Sequence, residues 1–191
     1  MGFKTILVPI EQHDLMSSTL ETALVLAQKF NSYIEGFALR VAVPGVYAAD
    51  GAVAIPRLEP DIAEHAKQTR SLFETFMQNN QLTQRGGDGP ASLSWSWLAD
   101  APSGHDFVGS YGRVFDVIVL GRPGRDSKGS RTATLEAALF ESGRPVLIAP
   151  PSPQPDMGKN VLIAWNCSTE QARTTAFAMP LLKRAIVASS Y

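Results

Sequence analysis

The sequence predicts an α/β protein with an open parallel sheet of five strands, helices on both faces, and a partial second copy of the same unit. Short apolar runs alternate with stretches of helical periodicity, and the strongest runs are apolar at successive positions. Strands that alternate with helices imply right-handed crossovers and therefore parallel strands. The second copy is predicted because residues 159–166 align without gaps on residues 4–11.

The first elements read as strand, helix and strand. Residues 4–11 (KTILVPIE) form a nearly continuous apolar run, which is typical of a strand buried on both faces. Ser18 and Glu21 have the spacing of a capping box, so we expect the first helix to begin there. Apolar side chains then recur at helical spacing up to Phe30, and a second strand is predicted over residues 33–41.

The middle of the chain combines a long connection with a helix and a strand. Residues 42–58 are rich in Ala, Gly, Val and Pro and are expected to be mobile or to cover the edge of the sheet. A helix is predicted over residues 60–79 and a glycine-rich loop over 84–90. Residues 93–98 alternate apolar and polar side chains, as a strand near a sheet edge does.

The first unit is predicted to end with two more helices and two more strands. We expect, in order, a weak helix over 105–113, a strand over 114–120, a polar loop over 121–132, a short helix over 134–141 and a strand over 145–149. The predicted domains are thus residues 1–150, a Pro-rich linker at 151–158 and an incomplete second domain at 159–191, with its first strand and helix. Such a fragment cannot bury its own apolar face, so we expect its strand to pair in a homodimer or against the first domain.

Composition limits the classes of partner. The formal net charge is −1, which gives no broad attraction to nucleic acid or to an anionic membrane. No apolar run approaches the roughly 20 residues that span a bilayer, and the single cysteine, Cys167, fits a reducing compartment. We therefore expect a cytoplasmic protein with no nucleic-acid or membrane partner.

A candidate ligand site follows from the predicted topology. Ligands of open parallel sheets bind beyond the carboxyl ends of the strands where the winding direction reverses, which selects the loops after the first and fourth strands. Glycines and arginines in residues 121–132 suit phosphate oxygens, and Glu11 can accept hydrogen bonds from a base or a ribose. A solvated surface loop and a solvated strand-end carboxylate explain the same residues.

Other site classes lack their sequence patterns. His13, His65 and His105 have no metal-ligand spacing, and neither G-x-S-x-G nor G-x-G-x-x-G occurs. Lys128 precedes Gly129, whereas a P-loop needs the lysine after the glycine. No residue is assigned a catalytic or metal-binding role.

Three segments in order (ILVPIE, VIVLGRPG and ESGRPVLIAP) make residues 3–150 resemble the universal stress protein family, and residues 159–185 resemble the start of a second tandem domain. The resemblance implies an adenine nucleotide alpha hydrolase-like fold, a homodimer and a role in stress response. Some members bind ATP through an Asp after the first strand and the signature G-x₂-G-x₉-G-[S/T]; others bind no nucleotide.

The signature is altered in this chain. Glu11 replaces the Asp, Gly121 and Gly124 match the first two glycines, and Thr134 and Leu135 replace Gly and Ser or Thr. Thr134 adds bulk where phosphate must approach the backbone, and Leu135 removes a hydroxyl donor. Two alternatives remain open: ATP or another adenine nucleotide binds, or none does.

The leading hypothesis is a stress-response protein that binds a nucleotide or an unknown protein partner and does not catalyse a reaction. The alternatives are a nucleotide hydrolase or transferase that uses the same crevice, and a structural dimerising protein without a ligand. The resemblance implies nine nucleotide-binding residues: Pro9, Ile10, Glu11, Gly121, Arg122, Gly124, Arg125, Ser130 and Thr134.

Overall fold

A six-stranded parallel sheet organises the first 150 residues in a computed structural model of the chain, which describes residues 2–11, 13–40, 46–47, 53–54, 59–86, 93–123, 130–152 and 154–190. The elements are, in chain order, β1 (Thr5–Ile10), α1 (Met16–Phe30), β2 (Tyr33–Ala38), β3 (Val46–Tyr47), β4 (Val53–Ala54), α2 (Glu59–Asn79), β5 (Thr83–Gln84), β6 (Ser94–Leu98), α3 (Asp106–Gly112), β7 (Val117–Gly121), α4 (Ser130–Glu141), β8 (Val146–Ala149), β9 (Asn160–Ile163), α5 (Thr169–Leu182) and β10 (Val187–Ser190).

The strand order of the main sheet is β5-β6-β2-β1-β7-β8, and every neighbouring pair is parallel. The predicted parallel α/β fold is therefore confirmed. β1 lies in the centre, between β2 and β7, so the chain winds outward from β1 in one direction and then in the other. β3 and β4 form a separate antiparallel pair; the rest of the predicted connection 42–58 lies outside the described residues.

Each face of the sheet buries an apolar layer. Alternate side chains of β1 point to opposite faces: Ile6 and Val8 pack with residues of α1 and α2, whereas Leu7 packs with residues of α3 and α4. All three are fully buried, as the unbroken apolar run of β1 predicts. α1 ends at Phe30, and the left-handed conformation of the next residue, Asn31 (φ 54°), caps the helix.

The sheet has one strand more than predicted. Thr83 and Gln84 form the edge strand β5 by pairing with Ser94 and Trp95 of β6. Thr83 lies between the predicted helix 60–79 and the predicted loop 84–90, and Gln84 is the first residue of that loop. A two-residue strand has too short an apolar pattern to be recognised from sequence. Residues 87–92 lie outside the described residues.

Two predicted helix starts are wrong. α1 begins at Met16, its N-cap is Leu15, and no side chain caps it; Ser18 instead donates its hydroxyl to the carbonyl of Pro150 at 2.6 Å. The capping-box spacing is therefore coincidental, because a contact distant in sequence uses the Ser18 hydroxyl. α4 begins at Ser130, four residues before the predicted start at Thr134, so Thr134 lies inside the helix.

The C-terminal segment forms a β-α-β unit, with one strand more than the strand and helix predicted. β9 and β10 make their own parallel two-stranded sheet, in which Asn160 pairs with Val187 as Thr5 pairs with Tyr33 in the first copy. The segment also contacts the first unit. Lys29 Nζ donates to the carbonyl of Met157 at 2.7 Å, and the guanidinium of Arg184 lies 4.3 Å from the ring centre of Phe30.

No helix among the described residues is long and apolar enough to cross a bilayer.

Candidate functional site

A small crevice lies where β1 and β7 end, at the point where the winding direction of the sheet reverses. This is the position at which open parallel sheets bind ligands. The crevice is bounded by residues from β1, β7, α4 and the start of α1: Pro9, Glu11, His13, Met16, Leu120, Gly121, Arg131 and Thr134. Its cavity measures about 10 Å³, roughly the space that one water molecule needs.

A chain of hydrogen bonds crosses the crevice. The hydroxyl of Thr134 donates to Glu11 Oε1 at 2.6 Å, and His105 Nδ1 lies 3.0 Å from the same hydroxyl oxygen. Because the single hydroxyl proton of Thr134 points to Glu11, the proton between His105 and Thr134 comes from the imidazole. This series of hydrogen bonds therefore links the end of β1, the start of α3 and the first turns of α4.

His13 enters the crevice from the turn before α1. Its Nδ1 accepts a hydrogen bond from the backbone N–H of Leu15 at 3.0 Å, which assigns the neutral tautomer with its proton on Nε2. Burial is the main cause that lowers the pKa of His13, and the positive charge of Arg131 lowers the pKa further, against an opposing effect of Asp14. His13 is therefore an uncharged donor at neutral pH.

Gly121 makes room for the His13 ring. A Cβ atom at Gly121 would lie 3.0 Å from His13 Cε1 and 3.3 Å from His13 Nε2. It would also lie 2.9 Å from the hydroxyl oxygen of Thr19, which is fully buried. The glycine at the end of β7 thus allows imidazole and strand backbone to meet at this edge of the sheet.

A cationic side chain stands at the N-terminus of α4, on one side of the crevice. Arg131 stands in the first turn of α4, which contains no acidic residue. The N-terminus of a helix carries a partial positive charge, so a cation there is electrostatically unfavourable. An anion between Arg131 and the helix end would relieve that repulsion.

The structure brings four of the nine predicted nucleotide-binding residues to the crevice: Pro9, Glu11, Gly121 and Thr134. Ile10 is only 1% exposed and its side chain belongs to the apolar layer under α1. Arg122 is exposed and does not line the crevice. Ser130 begins α4, but its side chain lies outside the described part of the chain, as do Gly124 and Arg125 entirely.

Sequence reasoning missed three residues of the crevice, His13, Met16 and Leu120, and it included Arg131 only as one of the arginines of the predicted loop 121–132. The spacing of His13 from the other histidines indicates no site. The signal for His13 and Arg131 was available: each lies within a few residues of a predicted strand end or helix start at the reversal point.

A second polar cluster surrounds Glu35 on β2. Its carboxylate accepts hydrogen bonds from the hydroxyls of Tyr33 and Tyr111 and, at 3.3 Å, from Ser96 Oγ. Burial and the hydrogen bond to Glu35 raise the pKa of Tyr33 to about 12, and the same causes raise the pKa of Tyr111. Arg85 lies over the Tyr33 ring at 4.9 Å. These bonds hold β2, β6 and α3 together away from the crevice.

Comparison with solved structures identifies the fold. The chain is similar to a universal stress protein from Archaeoglobus fulgidus DSM 4304, with a TM-score of 0.66 and 14% sequence identity over 96% of this chain and 64% of that one. It is also similar to the universal stress protein UspA from Lactobacillus plantarum (TM-score 0.49, 20% identity, 78% of this chain and 99% of that one). A third similar structure is a universal stress protein in complex with cAMP (TM-score 0.43, 14% identity, 80% and 100%).

The Archaeoglobus structure shows that this chain has the fold of the universal stress proteins, and the chain spans 64% of the length of that structure. No protein-family model and no curated protein matches the sequence. The fold expected from the resemblance is therefore confirmed.

Proposed function

We propose that this chain is a cytoplasmic stress-response protein of the universal stress type, which acts by binding an adenine nucleotide in the crevice between β1 and β7 and not by catalysis. One observation carries the proposal. A carboxylate (Glu11), a neutral imidazole (His13) and a guanidinium (Arg131) come from separate elements and line one crevice at the reversal point of the sheet.

The chemistry of the three groups matches the parts of a nucleotide. Glu11 is an acceptor for the amine of a purine or the hydroxyls of a ribose. His13 Nε2 is a donor, and Arg131 together with the N-terminus of α4 attracts phosphate oxygens. A ligand that carries donors at one end and negative charge at the other uses all three groups.

Calorimetric titration with ATP and ADP tests the proposal. We expect binding by the wild-type chain and a loss of about tenfold or more in affinity for Arg131→Gln, because a hydrogen bond to a charged group contributes about 1.5–3 kcal/mol. Arg173→Gln, which removes an exposed arginine from α5, is the matched control and should bind as the wild type does. The absence of both heat and a shift in melting temperature at millimolar nucleotide would refute nucleotide binding.

A second proposal concerns the partner: we infer that two copies of the chain associate through the β9–β10 sheet. Leu162 of β9 aligns with Leu7 of β1, but Leu162 is 68% exposed whereas Leu7 is fully buried. Ile186 and Val187, where the neighbouring strand β10 begins, are 77% and 53% exposed. Among the described strands β9 pairs with β10 alone, so within that part of the chain its other edge offers unpaired backbone groups. Exposed apolar side chains next to a free strand edge favour association.

Light scattering across a concentration series tests this association. We expect a dimer for the wild type and a monomer for Leu162→Lys. Val114→Lys is the control, because Val114 is 70% exposed and lies in the first unit. A wild-type monomer at all concentrations, or equal effects of both substitutions, would contradict association through β9. Binding of a different protein at this sheet would also contradict it, because that protein would then be the partner.

A further inference from the structure

Glu11 already has a hydrogen-bond donor from its own chain. The Thr134 hydroxyl lies 2.6 Å from Glu11 Oε1, and Thr134 is 2% exposed. The acceptor is a carboxylate, and a hydrogen bond in which the acceptor is ionised is stronger than one between neutral groups. A ligand donor that takes the position of the Thr134 hydroxyl at Oε1 must therefore displace it.

His105 holds the Thr134 hydroxyl in its orientation. With Nδ1 of His105 at 3.0 Å from the hydroxyl oxygen, the imidazole proton occupies one lone pair of that oxygen. The hydroxyl proton is thereby directed toward Glu11. The cavity beside the bonded pair measures about 10 Å³, roughly the space of one water molecule.

We infer that Thr134 is the residue that determines which ligands this crevice accepts, because its hydroxyl supplies to Glu11 the hydrogen bond that a nucleoside would otherwise supply. This inference rests on the proposed nucleotide binding. The Thr134 hydroxyl selects against ligands whose affinity depends on an N–H or O–H group that donates a hydrogen bond to the Glu11 carboxylate. Polyphosphate without a nucleoside has no such donor and is not subject to the selection.

Three substitutions of Thr134 separate the hydrogen bond from the bulk of the side chain. Thr134→Val keeps the size and removes the hydroxyl; Thr134→Ala removes both hydroxyl and methyl; Thr134→Ser keeps the hydroxyl and removes the methyl. Thr132→Ala, at an exposed position two residues earlier on α4, is the control. Affinity for ATP and for inorganic tripolyphosphate is measured by calorimetry for each chain, and each variant is first shown by its thermal melt to be folded.

We expect Thr134→Ala and Thr134→Val to bind ATP about tenfold or more tightly than the wild type, since one hydrogen bond to a charged group no longer has to be displaced. Thr134→Ser and Thr132→Ala should bind ATP as the wild type does. Tripolyphosphate affinity should be the same in all five chains. As a ligand-free check, the Nδ1 resonance of His105 should shift in the Ala and Val variants and not in the Ser variant.

Four results would overturn the inference. ATP affinity that does not rise in the Ala and Val variants while the wild type binds ATP would refute the role of Thr134 alone. A Ser variant that behaves like the Ala variant would assign the effect to bulk. Equal gains for tripolyphosphate would assign it to the phosphate end. If none of the chains binds ATP, the proposed nucleotide binding fails, and the role of Thr134 fails with it.

Discussion

Replacing Gly121 with alanine would place a methyl group 2.9 Å from Thr19 Oγ1 and 3.0 Å from His13 Cε1. Real Cβ contacts are essentially never shorter than 3.0 Å, so a neighbour must move. Thr19 is fully buried and its hydroxyl donates to the carbonyl of Leu15 at 3.2 Å, which leaves it little freedom. The half-buried His13 ring therefore has to turn toward solvent.

The expected loss in the free energy of unfolding of Gly121→Ala is the difference between two opposing contributions. Overpacking of this kind destabilises by about 1–3 kcal/mol, while exchange of glycine for alanine stabilises by about 0.4–1 kcal/mol through the unfolded chain. The φ angle of Gly121 is not in the left-handed region, so no backbone strain is added. The net loss should be about 0–2.6 kcal/mol, or a fall in melting temperature of up to about 10 °C for a chain of this size.

Urea unfolding and thermal melts measure the effect of Gly121→Ala. The control is Gly86→Ala, because a Cβ atom there meets nothing within 4 Å and should leave stability equal or slightly higher. The outward turn of His13 should also bring its pKa back toward 6.5, which a titration of the imidazole resonances detects. Equal stability of the two variants, with an unchanged pKa of His13, would refute the close packing of His13 on Gly121.

Protonation and hydrogen bonding supply three further predictions. The pKa of His13 in the folded chain lies below 6.5, so on acidification the unfolded chain binds the proton at a higher pH than the folded chain does. The stability that neutral His13 contributes is therefore complete above pH 6.5 and is lost as the pH falls through the pKa of the folded chain. His13→Gln should thus lose less stability than the wild type in urea titrations at progressively lower pH, and equal losses would contradict this. With the pKa of Tyr33 at about 12, its contribution is complete below pH 10 and lost as the pH rises toward 12. Glu35→Gln should lower the pKa of Tyr33, so that tyrosinate absorbance appears at lower pH. It should also lower the free energy of unfolding by about 1–3 kcal/mol. An unchanged titration of Tyr33 would exclude its hydrogen bond to Glu35. The indole N–H of Trp95 donates to the buried carbonyl of Leu82 at 3.1 Å. Trp95→Phe removes this donor and should lower the free energy of unfolding, measured in urea, by about 1–3 kcal/mol. A stability equal to the wild type would show that the bond contributes nothing.

The sequence predicts the fold well where apolar pattern and burial coincide. β1 and β7 are apolar at successive positions, and both are buried on two faces in the centre of the sheet. The prediction fails where a contact distant in sequence decides the local structure. Ser18 has a capping spacing with Glu21, yet its hydroxyl bonds to the carbonyl of Pro150, 132 residues away.

The site was predictable in position and not in detail. Topology alone selects the ends of β1 and β7, and Glu11 and Gly121 indeed lie there. The ring of His13 lines the crevice because it packs against Gly121, which is more than 100 residues away, and spacing along the sequence does not indicate that contact. Thr134 departs from the family signature, which the sequence shows, but its bond to Glu11 joins residues 123 positions apart, which the sequence does not show.

Amide chemical shifts of the ¹⁵N-labelled chain during titration with ATP test the central claim most directly. Nucleotide binding at the reversal point of the sheet predicts shifts that cluster at Glu11, His13, Gly121 and Thr134 and that saturate with one ligand per chain. An absence of shifts at several millimolar ATP, or shifts confined to α5 and the β9–β10 sheet, would contradict the claim that this crevice is the binding site.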